Sequence, residues 1–200
     1  MIRHVFFDIG GVLGTNGWDR EQRAGARDAF GLEPEVEERH QEVSGELETG
    51  RMSLTEYLEC TVFFQERAFT RDAFRDWMLA QSAPDDEVIS LVRRMREHDR
   101  VELMTMNNES EDLNLHRIAH FGLRPLFDAF LSSCWLGVRK PALAFFDRAL
   151  GIAQAEPAAS LFIDDRPQNL SPARRRGLDT IHFTGAPALE AALRERGLLS

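Results

Sequence analysis

Four separated positions in this sequence carry side chains whose types suit the binding and cleavage of a phosphate group. Asp8, Lys140 and the adjacent pair Asp164-Asp165 supply three carboxylates and one ammonium group, and Thr105 supplies a hydroxyl. Carboxylate oxygens are preferred ligands of a hard cation such as Mg²⁺, while an ammonium group and a hydroxyl can hold the oxygens of a phosphate dianion. Asp8 could attack phosphorus to form an aspartyl-phosphate, with Mg²⁺ screening the repulsion between the two anions. The set predicts phosphoryl-transfer chemistry.

The sequence predicts that these residues lie at the carboxyl ends of parallel strands. The apolar run 4–7 precedes Asp8, and Leu161-Phe162-Ile163 precede the acidic pair. From residue 85 onward, helical and strand patterns alternate, which predicts a parallel sheet with helices on both faces and a ligand crevice at the strands' carboxyl ends. The predicted strands are 3–8, 101–105, 127–132, 160–164 and 179–183, and the predicted helices of this part are 85–98, 109–120, 141–150, 169–176 and 188–196.

The stretch from residue 19 to about residue 83 shows only helical periodicity. It predicts helices over 19–30, 34–48, 53–65 and 71–80, and Ser53-Leu54-Thr55-Glu56 matches a capping box. We therefore predict an α/β core formed by residues 1–15 and 85–200, with a four-helix domain of residues 16–84 inserted after the first strand.

Composition limits the classes of function. The chain has 200 residues, 43% of them hydrophobic, and a net charge of −9, which disfavours a nucleic-acid partner. It has no run of 18 apolar residues and no signal-peptide pattern, so we expect a cytoplasmic protein without a membrane partner. Cys60 and Cys134 lack C-x-x-C spacing and are expected to be reduced thiols. A monomer and a homodimer both fit.

The order and spacing of these motifs resemble those of the haloacid dehalogenase superfamily of hydrolases over nearly the whole chain. Asp8 resembles the family's nucleophile, Thr105 its motif II hydroxyl, Lys140 its motif III lysine before a proline, and Asp164-Asp165 its acidic motif IV. The resemblance implies a Rossmann-like core of five parallel strands, with the first strand central, and a helical cap over the site. It implies a Mg²⁺-dependent phosphatase that hydrolyses a small phosphorylated metabolite.

The resemblance also implies a metal site. Mg²⁺ would bind the Asp8 carboxylate, the backbone carbonyl of Gly10 and the Asp165 carboxylate, and Asp164 would act mainly through metal-bound water.

The chain departs from the family's phosphatases at Gly10, where a second aspartate usually protonates the leaving group and then activates water. The Asp-x-Gly-Gly pattern is similar to that of a subgroup of sugar-phosphate phosphatases and phosphatase-like domains of larger enzymes. Two alternatives stay open: a 2-haloacid dehalogenase, which needs no acid at this position, and a weakly active or inactive phospho-ligand-binding or regulatory domain. Asp164-Asp165 disfavours the dehalogenase, because the family's dehalogenases need no Mg²⁺ and replace this acidic pair with serine and asparagine.

A second departure concerns the residues around Thr105. Many relatives carry an asparagine after the motif II hydroxyl, whereas this chain has Met106 followed by Asn107 and Asn108. We assign the hydroxyl to Thr105, since Met106 offers no suitable donor, and we consider both asparagines as substrate contacts. Taken alone, Thr105 is an ordinary strand residue and Asp8 an ordinary start of a turn. Their occurrence in the family's order favours the chemical interpretation.

Overall fold

Five parallel strands form the centre of the structure, a computed structural model that describes residues 1–98 and 100–199. Their spatial order is β3-β2-β1-β4-β5, so the first strand is central, as the sequence analysis expects. The prediction of a Rossmann-like parallel sheet flanked by helices is confirmed. The strands are β1 His4–Phe7, β2 Glu102–Asn107, β3 Ala129–Ser132, β4 Ser160–Asp164 and β5 Asp179–His182.

Helices cover both faces of this sheet because successive residues of each strand point to opposite sides. Val5 and Phe7 face one hydrophobic cluster, and Phe6 faces another. All three side chains are fully buried, which agrees with the continuous apolar run expected of a central parallel strand. The helices of this part are α5 Asp86–His98, α6 Glu111–His120, α7 Ser133–Leu136, α8 Leu143–Ala153, α9 Pro167–Arg175 and α10 Ala186–Glu195.

Four helices lie between β1 and α5, and we call them the insertion. They are α1 Arg20–Phe30, α2 Glu35–Glu48, α3 Leu54–Thr61 and α4 Arg71–Ala80. They pack around a hydrophobic cluster that includes Tyr57, Phe74 and Met78 and that Leu113 of α6 joins. The predicted capping box is present: the Ser53 hydroxyl accepts from the Glu56 backbone N–H, and the Glu56 carboxylate accepts from the Ser53 backbone N–H. The division into a core and a separate domain of residues 16–84 stays a prediction.

Several predicted boundaries differ from the observed ones. The helix predicted over 53–65 ends at Thr61, and residues 62–65 form turns and bends. The helix predicted over 141–150 runs from Leu143 to Ala153, because the chain leaves the helix at Gln154, whose φ is 50°, and not at Gly151. The strand predicted over 101–105 extends to Asn107, and the short helix α7 was not predicted.

None of the helices in the described parts of the chain combines the length and the apolar content that a membrane crossing requires.

Candidate active site

Lys140 joins the ends of two neighbouring strands through its ammonium group. Asp8 directly follows β1 and Asp164 ends β4, and these strands pair with Phe7 opposite Ile163. The Lys140 Nζ lies 2.8 Å from Asp8 Oδ2 and 2.6 Å from Asp164 Oδ2, and it also donates to the Met106 carbonyl at 3.0 Å. Burial lowers the pKa of Lys140, but the two carboxylates outweigh this effect and raise the pKa above its usual value. Lys140 therefore stays charged.

The carboxylates of Asp8, Asp164 and Asp165 form a compact acidic cluster, with one oxygen of each lying within 4.8 Å of the others. Burial, together with the nearby Asp164 and Asp165, raises the pKa of Asp8 to about 7, although Lys140 acts in the opposite direction. Burial and Asp164 also raise the pKa of Asp165. A divalent cation would compensate for this excess of negative charge.

The two members of the adjacent acidic pair differ in how their oxygens are used. Asp164 accepts hydrogen bonds from Lys140, from the Asn169 side chain and from the Arg166 backbone N–H. By contrast, Asp165 Oδ1 is buried and has no hydrogen-bond partner among residues 1–98 and 100–199. Asp165 thus retains an oxygen that fits a metal ion, and Asp164 is already satisfied by the protein.

Gly11 allows this acidic pair to lie close to the turn after β1. Its φ is 74°, in the left-handed region that favours glycine, and a Cβ at this position would lie 2.4 Å from Asp165 Oδ2. A larger residue at position 11 would displace the Asp165 carboxylate.

A cavity of about 350 Å³ opens above Asp8, between the carboxyl ends of the strands and the insertion. The core contributes Asp8, Asn108 and Lys140 to its lining, and the insertion contributes Arg23 and His40. Of the described residues that line it, all except Trp18 and Pro141 are charged, polar or glycine. The cavity therefore suits a hydrophilic ligand.

His40 lines this cavity as a neutral side chain. Burial lowers the pKa of His40 to about 4. The Trp18 Nε1–H donates to the Tyr57 hydroxyl at 2.7 Å, and that hydroxyl lies 2.8 Å from His40 Nδ1. These contacts fix the imidazole in the wall of the insertion.

A comparison of this chain with protein families agrees with the order in which these motifs occur on the fold. The family model of the haloacid dehalogenase-like hydrolases matches residues 2–177. The chain belongs to this family.

Curated relatives of this hydrolase include two enzymes with phosphatase or hydrolase names. A sesquiterpene phosphatase of Aspergillus oryzae is 30% identical over 112 residues, which cover 56% of this chain and 57% of that protein. Flavin mononucleotide hydrolase 1 of Arabidopsis thaliana is 29% identical over 100 residues, covering 44% of this chain and 41% of that protein. The chain thus spans about half the length of these relatives.

Solved structures of the family share the whole fold. A HAD-like hydrolase from Porphyromonas gingivalis is 25% identical with a TM-score of 0.76, covering 97% of this chain and 98% of its own. A HAD family enzyme from Bacteroides thetaiotaomicron, crystallised with magnesium and inorganic phosphate, is 18% identical with a TM-score of 0.76, covering 90% and 93%.

The residues predicted around motif II of this hydrolase do not all reach the cavity. Thr105 lies opposite Phe7 in the β1–β2 register, is fully buried, and its hydroxyl lacks a partner within the described part of the chain. Asn107 is also buried and donates to Asn114 Oδ1. Neither Thr105 nor Asn107 lines the cavity, and their contact with substrate stays a prediction.

Asn108, in contrast, lines the cavity and holds the loop that carries Lys140. The Asn108 side chain donates to the Lys140 carbonyl and accepts from the Lys140 backbone N–H, both at 2.9 Å.

The other predicted site residues lie at or near the cavity. Gly10 lies at the cavity wall, as the metal-site prediction requires, and Asp8, Lys140, Asp164 and Asp165 lie together. Their roles stay predictions.

Two functional candidates were missed by the sequence analysis of this hydrolase. Glu109 and Arg117 line the cavity and form a buried ion pair, in which Arg117 Nη1 lies 3.1 Å from Glu109 Oε2. Burial raises the pKa of Glu109, although Arg117 acts in the opposite direction. One feature of the sequence could have indicated that Arg117 is buried. Arg117 lies four residues after Leu113, on the apolar face of a predicted helix.

Proposed function

We propose that this hydrolase is a Mg²⁺-dependent phosphatase that hydrolyses a small phosphorylated metabolite through an aspartyl-phosphate at Asp8. The observation that carries the proposal is the cluster of Asp8, Lys140 and the Asp164-Asp165 pair, of which Asp8 and Lys140 line an open polar cavity. The proposal also agrees with the name of the Aspergillus relative and with the magnesium and phosphate bound to the Bacteroides enzyme.

Asp8 is positioned as a nucleophile by contacts to both of its oxygens. Its Oδ1 accepts from the Ile9 backbone N–H at 2.8 Å, and its Oδ2 contacts Lys140. The positive charge of Lys140 favours the ionised, nucleophilic form of Asp8 and can bind a phosphoryl oxygen. Water would then cleave the aspartyl-phosphate and restore Asp8.

The donor set around Asp8 fits a magnesium ion, because Asp165 Oδ1 is buried without a partner in the described structure. Asp8, Asp165 and the carbonyl of Gly10 would hold the ion, and Asp164 would act through water. When bound, Mg²⁺ supplies positive charge that reduces the repulsion between the carboxylate and the phosphate dianion.

The lining of the cavity supports a hydrophilic metabolite. Three cations at its walls are already paired with carboxylates: Arg23 with Glu37, Arg139 with Glu48 and Arg166 with Asp19. The positive charges of these arginines are thus neutralised by the carboxylates. Hydroxyl groups of a substrate could form hydrogen bonds with both members of these ion pairs. A polyol or sugar monophosphate fits this chemistry.

The decisive experiment measures inorganic phosphate released from 4-nitrophenyl phosphate and from a panel of sugar phosphates, with Mg²⁺ and with a chelator. We expect metal-dependent turnover that Asp8→Asn abolishes and that the matched control Asp147→Asn, in a surface ion pair with Arg176, leaves intact. Mass spectrometry of acid-quenched protein should detect one phosphoryl group on the wild type and none on Asp8→Asn.

The dehalogenase alternative is favoured by one observation, the absence of a side chain at Gly10. It predicts halide release from a 2-haloacid without metal. Halide release together with silence across the phosphate panel would replace the phosphatase proposal with this alternative. If neither assay detected turnover but calorimetry showed that the protein binds Mg²⁺ and inorganic phosphate, a phospho-ligand-binding domain would be favoured.

A further inference from the structure

Arg117 is a buried cation that reaches the cavity from α6. Only 2% of its side chain is exposed, whereas Arg139 and Arg166, which also line the cavity, have 46% and 43% exposed. Its Nη1 donates to Glu109 Oε2, and its Nη2 donates to the Thr15 carbonyl. The Nε is buried and lacks a hydrogen-bond partner within the described residues. Glu109 and Thr15 thus hold the guanidinium in place.

The guanidinium lies between the nucleophile's turn and the entrance to the insertion. A Cβ on Gly10 would lie 3.5 Å from Arg117 Nη1, and a Cβ on Gly17 would lie 3.1 Å from the same atom. Gly10 is two residues after Asp8, the proposed site of the phosphoryl group. Gly17 leads into the segment whose residues Trp18, Asp19 and Arg23 line another part of the cavity. Arg117 is therefore close to the junction between the phosphoryl group and the organic part of a substrate.

We infer that Arg117 binds the bridging oxygen of the phosphate ester and that Glu109 positions Arg117. This inference rests on the proposed phosphatase function. As an Asp8 oxygen bonds to phosphorus, the bond between phosphorus and the bridging oxygen breaks, and its electron pair stays on the leaving oxygen. Arg117 donates a hydrogen bond to that oxygen and keeps its own protons, because a guanidinium does not deprotonate in proteins. The leaving oxygen takes its proton from water.

Burial strengthens the interaction between Arg117 and the leaving oxygen. A charged donor that is already oriented interacts with a developing oxyanion more strongly in a water-poor site than in bulk water. Because Arg117 stabilises charge without transferring a proton, the enzyme would favour esters whose alcohol has a low pKa. Among polyol and sugar monophosphates, turnover should therefore be fastest for those whose leaving hydroxyl is the most acidic.

The test is the dependence of kcat/KM on the pKa of the leaving group, measured with a series of substituted phenyl phosphates. Removing one donor to a developing oxyanion costs about 10²- to 10³-fold in rate. We expect Arg117→Met to lower kcat/KM about 100-fold for phenyl phosphate and about tenfold for 4-nitrophenyl phosphate, which steepens the dependence. A purely structural role would lower kcat/KM by the same factor across the series, and that result would overturn the inference.

Two further variants keep the test informative if Arg117→Met folds poorly. Arg117→Lys keeps the charge but loses the planar fork, so its dependence on leaving-group pKa should lie between those of the wild type and Arg117→Met. The matched control is Arg67→Met, which removes an arginine with 8% exposure that pairs with Glu33 in the insertion. Arg67→Met should leave the dependence unchanged. If kcat/KM depended on leaving-group pKa as in the wild type in both Arg117→Lys and Arg117→Met, the inference would be overturned.

Glu109→Gln distinguishes positioning from proton transfer. Glutamine still accepts a hydrogen bond from Arg117, so we expect a wild-type pH profile and a wild-type dependence on leaving-group pKa. Loss of a basic limb from the pH profile of Glu109→Gln would identify Glu109 as the proton donor and overturn the inference.

The two proposals fail in different ways. Wild-type turnover that Asp8→Asn abolishes, with no leaving-group effect in Arg117→Met, would overturn only the role of Arg117. Absence of wild-type phosphate release across the whole series would overturn the phosphatase proposal and, with it, this inference.

Discussion

Lys140 contacts two carboxylates, and the third carboxylate of the acidic cluster lies close by. When Asp8, Asp164 and Asp165 are all ionised, one ammonium group faces three negative charges in a largely buried site. Buried like charges cost free energy unless they are neutralised or protonated, and this explains why the pKa of Asp8 rises to about 7. The cluster is therefore a source of instability in the metal-free protein.

The first prediction concerns Asp8→Asn in the absence of metal. The pKa of Asp8 in the folded state lies above its ordinary value of 3.8, so its contribution to stability is present below pH 4 and decreases as the pH rises toward 7. At pH 8, Asp8→Asn should melt about 2 to 6 °C above the wild type, which corresponds to about 1 to 2 kcal/mol. The difference should vanish near pH 4. Thermal unfolding with a chelator at both pH values measures it.

Two controls accompany this measurement. His40 titrates in the same proteins, since burial lowers its pKa to about 4, and its effect cancels in the comparison. Saturating Mg²⁺ should raise the melting temperature of the wild type more than that of Asp8→Asn, because a ligand stabilises the state that binds it. A variant that melts below the wild type at pH 8 would contradict our account of the buried charges.

At the scale of elements, the register between β1 and β2 decides which residues of β2 can approach the nucleophile. Phe7 pairs with Thr105, so these two side chains share a face of the sheet, and Phe7 belongs to the cluster opposite to that of Phe6 and Met106. Thr105 is thus buried within the fold. Asn108 lies beyond the strand and reaches the cavity.

The second prediction follows from this register. Thr105→Val replaces a buried hydroxyl that lacks a partner within the described residues with a methyl group of similar size. We expect kcat/KM to stay within about twofold and stability to remain equal or to rise by up to about 1 kcal/mol. Phosphate release and thermal unfolding measure these values.

Asn108→Ala provides the contrast to Thr105→Val. It removes both hydrogen bonds to the Lys140 backbone and should lower turnover at least tenfold, since a misplaced charged group loses catalytic effect. If Thr105→Val lowered turnover more than tenfold while its melting temperature was unchanged, the hydroxyl of Thr105 would act on the phosphate after all.

At the scale of the whole molecule, residues of both the insertion and the core line the cavity. The cavity walls carry ion pairs within the insertion, such as Arg23–Glu37, and ion pairs that connect it to the core, such as Arg139–Glu48. Placing a long apolar chain against these groups would strip water from them without replacing their hydrogen bonds. We therefore expect the substrate of this chain to be hydrophilic.

The third prediction concerns substrate polarity. We expect kcat/KM for a sugar phosphate to exceed that for farnesyl phosphate by at least about 100-fold, because the apolar chain gains little burial and desolvates charged groups. Phosphate release from both substrates, with 4-nitrophenyl phosphate as the positive control, measures the ratio. Faster turnover of farnesyl phosphate would contradict the assignment of a hydrophilic substrate.

The sequence by itself determined the parallel sheet and the convergence of Asp8, Lys140 and Asp164-Asp165. Alternating helical and strand periods impose the parallel sheet, and residues at the carboxyl ends of its strands must meet at one edge. These features depend on local pattern and on topology, and both can be read from the order of residues. The tight turn at Gly11 is also a feature that the sequence determines, because a glycine at this position favours such a turn.

Only the tertiary structure decided which other residues reach the cavity. The burial of Thr105 depends on the register of two strands that are far apart in the chain, and a shift of one residue would exchange the two faces. Arg117 is held by the carbonyl of Thr15, 102 residues earlier. Such contacts arise from the packing of the insertion and α6 around the sheet, and no local pattern specifies them.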